Sequence, residues 1–312
     1  MGGMEAHCWH LAAGLEARGH EVVLFAPGDS DARFADRGYA AACDRIRSGG
    51  FDVVHNNSLH RFPLQRAQAG EVPTVTLLHV PPFDALHWFV AGSAAPTHHL
   101  TVTSAGQMRA WWPGEAPPQV SVLHNGIDPQ AWPFHAAGDG SAVWCGRINA
   151  NKGTHLAIEA ARRAGIALTV FGAVEEPGYW HDAVAPALGG GLRYGGHLNA
   201  RELASEIGRA SVSLFTPCWD EPFGLVAIEA MACGVPIAAF GRGAAAEVIA
   251  EAGVIVASGD VAALAEAIPA AMAIDRAIPH LRVKRMFTHD IWLNGCERLY
   301  AAVREAAAVH VV

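Results

Sequence analysis

Short apolar runs alternate with helix-period stretches along the chain. In the first half, residues 21–26 (EVVLFA), 52–55 (DVVH), 74–79 (TVTLLH) and 119–123 (QVSVL) are short and rich in β-branched residues, which predicts strands. Residues 4–18 read as an amphipathic helix: Leu11 and Leu15 share a face, Arg18 suits the last turn, and Gly19 ends it. The second half repeats the scheme, with strands predicted at 142–145, 168–171, 192–195, 211–215, 236–240 and 254–256. Helices are predicted between and after them at 154–164, 200–210, 226–233, 244–250 and 261–272. Strands interleaved with helices imply parallel sheets covered on both faces. Right-handed crossovers then make an α/β chain of two doubly wound, Rossmann-like domains. A last helical stretch, 290–308, carries apolar Ile291, Leu293, Leu299 and Val303 and needs a surface to pack on.

The periodicity breaks at 128–140 (DPQAWPFHAAGDG), which holds two prolines and two glycines. This places a domain boundary there, giving domains at 1–134 and 135–284 and a tail at 285–312 that packs back on the first. The chain opens on Met1-Gly2-Gly3 and runs straight into a helix. In a doubly wound domain that turn follows the first, central strand, so the first sheet is expected to lack it.

Composition narrows the function. At 312 residues and 51% hydrophobic, the chain can bury two cores. No stretch of eighteen apolar residues predicts a membrane span, and the start has no signal-peptide pattern. The six cysteines are scattered without a C-x-x-C pair, which speaks against a disulfide framework or zinc site and for a reducing cytoplasm. A net charge of −8 disfavours nucleic acid as a partner, and no basic amphipathic helix suggests firm membrane attachment. Lysine is nearly absent: Lys152 and Lys284 are the only two.

The densest chemistry lies at 218–229 (CWDEPFGLVAIE). Its loop follows a predicted strand and precedes a helix, the place where parallel sheets bind ligands. Glu221 stands in the loop and Glu229 in the helix, a spacing that suits a ligand carrying hydroxyl groups. A glutamate early in a helix is also favoured by the macrodipole alone. Arg147 and Lys152 flank a turn between a strand and a helix, where cations can meet an anionic group. Two decoys are present. Asp29-Ser30-Asp31 imitates a metal-binding D-x-D but reads as an Asx-type turn. Gly241-Arg242-Gly243 opens a G-x-G-x-x-A string like a dinucleotide fingerprint, so an NAD-dependent dehydrogenase is a rival; yet the string falls late in its domain.

With these residues in view, the chain resembles the family 4 retaining nucleotide-sugar glycosyltransferases of GT-B architecture. It is most similar to short bacterial members, among them antibiotic-tailoring enzymes. The matching motifs run in order: GGMEAHCWHLAAGLEARGHEVVLF, FDVVHNNS, VPTVTLLH, HNGID, WCGRINANKG, EPFGLVAIEAMACGVPI and FGRGAAAEV. The resemblance implies two domains facing a cleft, the acceptor on the N-terminal side and the donor on the C-terminal side. It assigns Arg147 and Lys152 to the donor diphosphate, Glu221 to the sugar, Glu229 to the ribose and His79 to the reacting centre. It gives the backbone at Phe223, Gly224 and Leu225 to sugar or phosphates, and Gly2 and Gly3 to the diphosphate loop. Gly196, His197 and Leu198 would grip the nucleobase, Glu247 would support the diphosphate site, and HNGID has a structural role. The aromatics Phe83 and Trp88 either stack on an acceptor or pack their own loop. The family's chemistry implies no metal and no cofactor beyond the donor substrate. The expected activity is retaining transfer of a hexose-like sugar from a nucleoside diphosphate to a hydroxyl of a small molecule or glycan. A sugar-nucleotide epimerase of the same fold and a non-catalytic nucleotide-sugar-binding protein remain alternatives. Donor base, sugar, acceptor and oligomeric state stay open.

Overall fold

The computed structural model describes residues 3–25, 35–82 and 86–310. Its first elements are α1 (Gly3–Ala17), α2 (Ala35–Ser48), β1 (Val54–Asn56), α3 (Arg61–Gln68) and β2 (Thr74–Leu78). Then come α4 (Leu86–Ala91), β3 (His98–Val102), α5 (Ala105–Trp111) and β4 (Val120–Val122). The next stretch holds β5 (Ala142–Cys145), α6 (Thr154–Ala164), β6 (Leu168–Phe171), α7 (Pro177–Tyr179) and β7 (Leu192–Gly196). It continues with α8 (Ala200–Arg209), β8 (Val212–Phe215), α9 (Leu225–Ala232), β9 (Ile237–Phe240) and α10 (Ala245–Ile249). The last elements are β10 (Gly253–Val256), α11 (Val261–Met272), α12 (Ala277–Met286) and α13 (His289–His310). Among the described residues no helix is long and apolar enough to cross a membrane.

The chain divides into two compact units, residues 1–124 with 289–312, and residues 125–288. The first holds a parallel sheet in the order β1-β2-β3-β4. Every residue of β2 is buried, because both faces of the sheet are covered. Leu64, Leu78, Leu100, Val102 and Trp111 pack in one layer. Leu11 and Leu15 of α1 pack in another with Val75, Leu123 and Trp292, Leu293, Cys296 and Tyr300 of α13. The apolar stripe of the last helix thus finds its surface on α1 and the sheet.

Two strands of this unit differ from the sequence reading. Residues 21–25 do not form a strand; they run without a sheet partner among the described residues, and Val23, Leu24 and Phe25 are exposed. β-branched composition favours an extended backbone, but ladder pairing makes a strand. Conversely, β3 (HHLTV) escapes the apolar pattern because it begins with two histidines. His98 is fully buried, and its ring nitrogens lie 2.8 Å from Thr76 Oγ1 and 2.8 Å from the Ser93 carbonyl. Burial takes His98 down to about 4, so it is a neutral core residue.

The compact units meet at 124/125 and 288/289, so the stretch 128–140 lies inside the second of them. Ile127 donates its N–H to the Phe287 carbonyl (2.9 Å), Trp132 is buried in the core of the second unit, and His135 N–H reaches the Cys233 carbonyl (3.0 Å). The proline- and glycine-rich stretch is therefore packed, irregular chain of the second unit. Loss of periodicity reports irregular backbone, which linkers and packed loops share.

The second unit is built on a six-stranded parallel sheet in the order β10-β9-β8-β5-β6-β7. β5, first in sequence, lies in the interior, pairing with β6 on one side and β8 on the other. β5, β8 and β9 are buried at every position, and apolar clusters cover both faces. The chain winds outward from β5 first one way and then the other, so strand order reverses between β5 and β8. In such sheets the crevice at the carboxyl ends of the strands flanking the reversal is where ligands bind.

Candidate active site

Two loops leave the sheet at that point, the turn after β5 and the loop after β8. The first turn is a single 3₁₀ turn over Ala150–Lys152, capped by Asn149, whose Oδ1 accepts the Lys152 N–H (3.1 Å). Gly153 follows with φ +65°, and a Cβ there would lie 2.3 Å from the Thr216 carbonyl oxygen. Only glycine tolerates both the left-handed backbone and the closeness. Thr216 Oγ1 then donates toward the carbonyls of Lys152 (3.1 Å) and Gly153 (3.0 Å) and receives Trp144 Nε1–H (3.0 Å). Cys218 N–H reaches the Asn151 carbonyl (2.8 Å). The two loops are stitched into one body.

That stitching brings Lys152 and Glu221, 69 positions apart, into a direct ion pair, with side chains only 19% and 9% exposed. Trp219 joins them: its Nε1–H donates to Glu221 Oε2 (2.7 Å), and the Lys152 ammonium lies 5.1 Å from its ring centroid. The FGRG turn supports Glu221 from behind. Ala244 N–H donates to the Glu221 carbonyl (2.9 Å), and a Cβ on Gly243 (φ +60°) would fall 2.3 Å from that oxygen. Glu247 lies on α10, directly after that turn.

Arg147 is on the same turn as Lys152, but its guanidinium pairs with Glu175 and its side chain is 60% exposed. Asn149 Nδ2 donates to the other oxygen of Glu175. These partners, Asn149 first, hold the Glu175 carboxyl below the usual carboxylate range. The two cations expected to face a diphosphate thus each engage a carboxylate.

Glu229 is the fifth residue of α9, beyond the first turn. Among the described residues its carboxylate has no hydrogen-bond partner, and desolvation raises it to about 7. The nearby Cys145 and Cys233 thiols are also pushed up, by burial first and then by Glu229. Glu229 is half-buried by accessible surface, so its carboxyl is partly desolvated without being cut off from water, and carboxyls raised in this way cluster at functional sites. Phe223 puts its ring in the core, 5.5 Å from Phe287, so only its backbone is available to a ligand. Gly224 (φ +92°) opens α9 and Leu225 begins it. Gly196 ends β7 and accepts the Gly172 N–H (2.9 Å); His197 follows it, and Leu198 packs against the core.

The first unit contains His79, immediately after β2. Its Nε2 lies 2.8 Å from Asn57 Oδ1, and Asn57 Nδ2 donates to Cys8 Sγ (3.3 Å). His7 meets the ring edge-on at 4.7 Å. Burial, with His55 second, takes His79 down to about 3, so it is neutral near pH 7 and donates Nε2–H to the amide oxygen. Gly3 is the first residue of α1; Gly2, Phe83 and Asp29-Ser30-Asp31 lie outside the described residues. Trp88 is 82% exposed and stacks on His87 at 5.3 Å. Among the described residues no group of three or more His, Cys, Asp or Glu is placed to hold a metal ion.

The sequence pattern does not single out Trp219, Asn149, Glu175, Asn57 or Gly153, and it offers Gly243 only as part of a dinucleotide lookalike. An indole two residues before Glu221 was a visible signal. The partners of Arg147 were not visible, because Glu175 follows a different strand.

The comparisons with known proteins agree with this architecture. A glycosyltransferase family 4 model matches residues 1–131, and a glycosyl transferases group 1 model matches residues 135–281. A glycogen synthase from Mycobacterium tuberculosis is 28% identical over 341 aligned positions, covering 86% of this chain and 82% of the relative. The crystal structure of AviGT4, a glycosyltransferase of avilamycin A biosynthesis, superposes with a TM-score of 0.74 at 21% identity, covering 98% of this chain and 91% of the other. Anabaena HepE, solved with UDP and glucose, gives 0.75 at 18% identity, covering 96% of each chain. Together the two family models span nearly the whole sequence and the structural likenesses extend over both of its units: the chain belongs to the family 4 type of GT-B glycosyltransferases and is an enzyme of that class.

Proposed function

We propose that this glycosyltransferase moves a hexose-like sugar from a nucleoside diphosphate to a hydroxyl acceptor with retention of anomeric configuration. The observation that carries the reading is the Lys152–Glu221 pair at the strand-order reversal: a cation suited to a diphosphate, held beside a carboxylate suited to sugar hydroxyls. The binding of UDP and glucose by HepE, a protein of like fold, supports it. In this reading Lys152 and Arg147 exchange their carboxylate partners for phosphate oxygens and neutralise charge on the leaving diphosphate. Glu221 orients the sugar and Glu229 accepts from the ribose hydroxyls. The acceptor oxygen bonds to the anomeric carbon on the face the diphosphate leaves, the carbon–oxygen bond to phosphate breaks, and the acceptor proton passes to a phosphate oxygen. His79 is the catalytic residue of the first unit, and no metal takes part. The described cysteines are all free thiols, which suits a cytoplasmic protein.

A thermal-shift panel of UDP, GDP, ADP, their sugar conjugates and NAD(P) tests the donor. Stabilisation by one nucleotide-sugar family is expected; stabilisation by NAD(P) alone transfers the case to a dehydrogenase. Conversion of the donor sugar without an acceptor would identify an epimerase. Glu221→Ala should abolish transfer with melting behaviour retained, and unchanged turnover in that variant would sink the site.

A further inference from the structure

We propose that Trp219 is a positioning residue, fixing which oxygen of Glu221 meets the donor sugar. The inference rests on the reading above that Glu221 binds the sugar. Glu221 Oε2 receives two donors, Lys152 Nζ and Trp219 Nε1–H. Those two bonds fill Oε2, and once Lys152 leaves for the diphosphate the indole N–H still occupies one of its two acceptor sites, so Oε1 is the oxygen with both sites open to a hydroxyl. Trp219 is held for this work by its own backbone. Its carbonyl accepts the Glu221 N–H (2.8 Å), and its neighbour Cys218 is tied to the turn after β5. Indole and carboxylate thus belong to one three-residue turn, and the bonds to Oε2 restrain rotation of the carboxylate.

The consequence appears when a donor arrives. Once Lys152 turns to the diphosphate, the indole N–H is the remaining protein donor on Oε2. Trp219 therefore matters most with nucleotide sugar bound and little for a nucleoside diphosphate alone. A carboxylate held by one oxygen also presents a single defined acceptor direction, which discriminates sugars by the orientation of one hydroxyl. The same indole lies against the Lys152 ammonium, so ring face and ring N–H serve different partners and can be separated by substitution.

Trp219→Phe keeps an aromatic face for Lys152 and removes the N–H. The test uses UDP and UDP-glucose, or the GDP or ADP pair if the panel selects it. Inhibition by the free nucleoside diphosphate should stay within about twofold, while kcat/KM for the nucleotide sugar falls about ten- to a hundredfold, as for loss of a hydrogen bond to a charged group. Trp219→Tyr, whose hydroxyl can donate, should recover part of that loss. Wild-type kcat/KM in Trp219→Phe, with Glu221→Ala inactive, overturns the role of Trp219. Equal loss of diphosphate and nucleotide-sugar binding also overturns it, because that marks a general structural part. Full activity in Glu221→Ala would instead remove the underlying reading.

Discussion

Glu229→Gln is the substitution whose effect can be worked out most fully. Burial moves this carboxyl from 4.5 to about 7, with no hydrogen-bond partner among the described residues to offset the cost. At about 1.4 kcal/mol per unit, ionised Glu229 costs on the order of 3 kcal/mol of folding free energy. For a raised carboxyl the stability is fully present below the unfolded value near 4.5 and is lost as pH rises through about 7. Glutamine keeps the shape and cannot ionise. The variant should therefore melt like the wild type at pH 4.5 and above it at pH 8, by roughly 5–10 °C for a unit of this size. Calorimetry of both proteins without ligand measures this. A second arm reads function. If the ionised form accepts from a ribose, nucleoside diphosphate affinity in the wild type should rise about tenfold between pH 6 and 8. In Glu229→Gln it should be weak and lack that rise. The ligand's own phosphate ionisation is common to both proteins and cancels. An equal change in melting temperature at pH 4.5 and 8 would refute the reasoning, because the cost would then not be ionisation. Stabilisation with undiminished nucleotide affinity would remove Glu229 from the binding site.

Three further outcomes are expected. Lys152→Ala should weaken nucleoside diphosphate binding by roughly 1–3 kcal/mol in a calorimetric titration, and unchanged affinity would take Lys152 out of the site. Gly153→Ala combines a left-handed backbone with a Cβ placed 2.3 Å from the Thr216 carbonyl oxygen. It should cost at least about 1–3 kcal/mol by denaturant titration and separate Lys152 from Glu221; wild-type stability would show that the two loops are not held together there. Leu293→Ala, on the face of α13 packed against α1 and β2, should destabilise the first unit by about 2–5 kcal/mol. A loss below about 0.5 kcal/mol would mean that α13 does not complete that core.

Some of this protein was written in local sequence. Alternating apolar strands and 3.6-period helices report backbone pairing and burial residue by residue, so the sheet of the second unit was legible strand by strand and α6 and α11 to their observed ends, whereas α7 and α12 were not. The chemistry of 218–229 was legible too, since glutamates in a strand–loop–helix unit are visible without coordinates. Where partners are distant, the pattern falls silent. Among the described residues the segment 21–25 has strand composition and no ladder, whereas β3 has a ladder and unpromising histidines; neighbours across the sheet decided both. Strand order placed the turn after β5 beside the loop after β8, and that adjacency alone pairs Lys152 with Glu221 and sends Arg147 to Glu175. The raised carboxyl of Glu229 is likewise a property of surrounding atoms. Sequence determined which groups could carry chemistry and which segments could be regular, because those depend on residue type and local period. Only the tertiary structure decided which charges meet and which are left without a partner, because pairing and desolvation depend on chain segments that come together through the sheet.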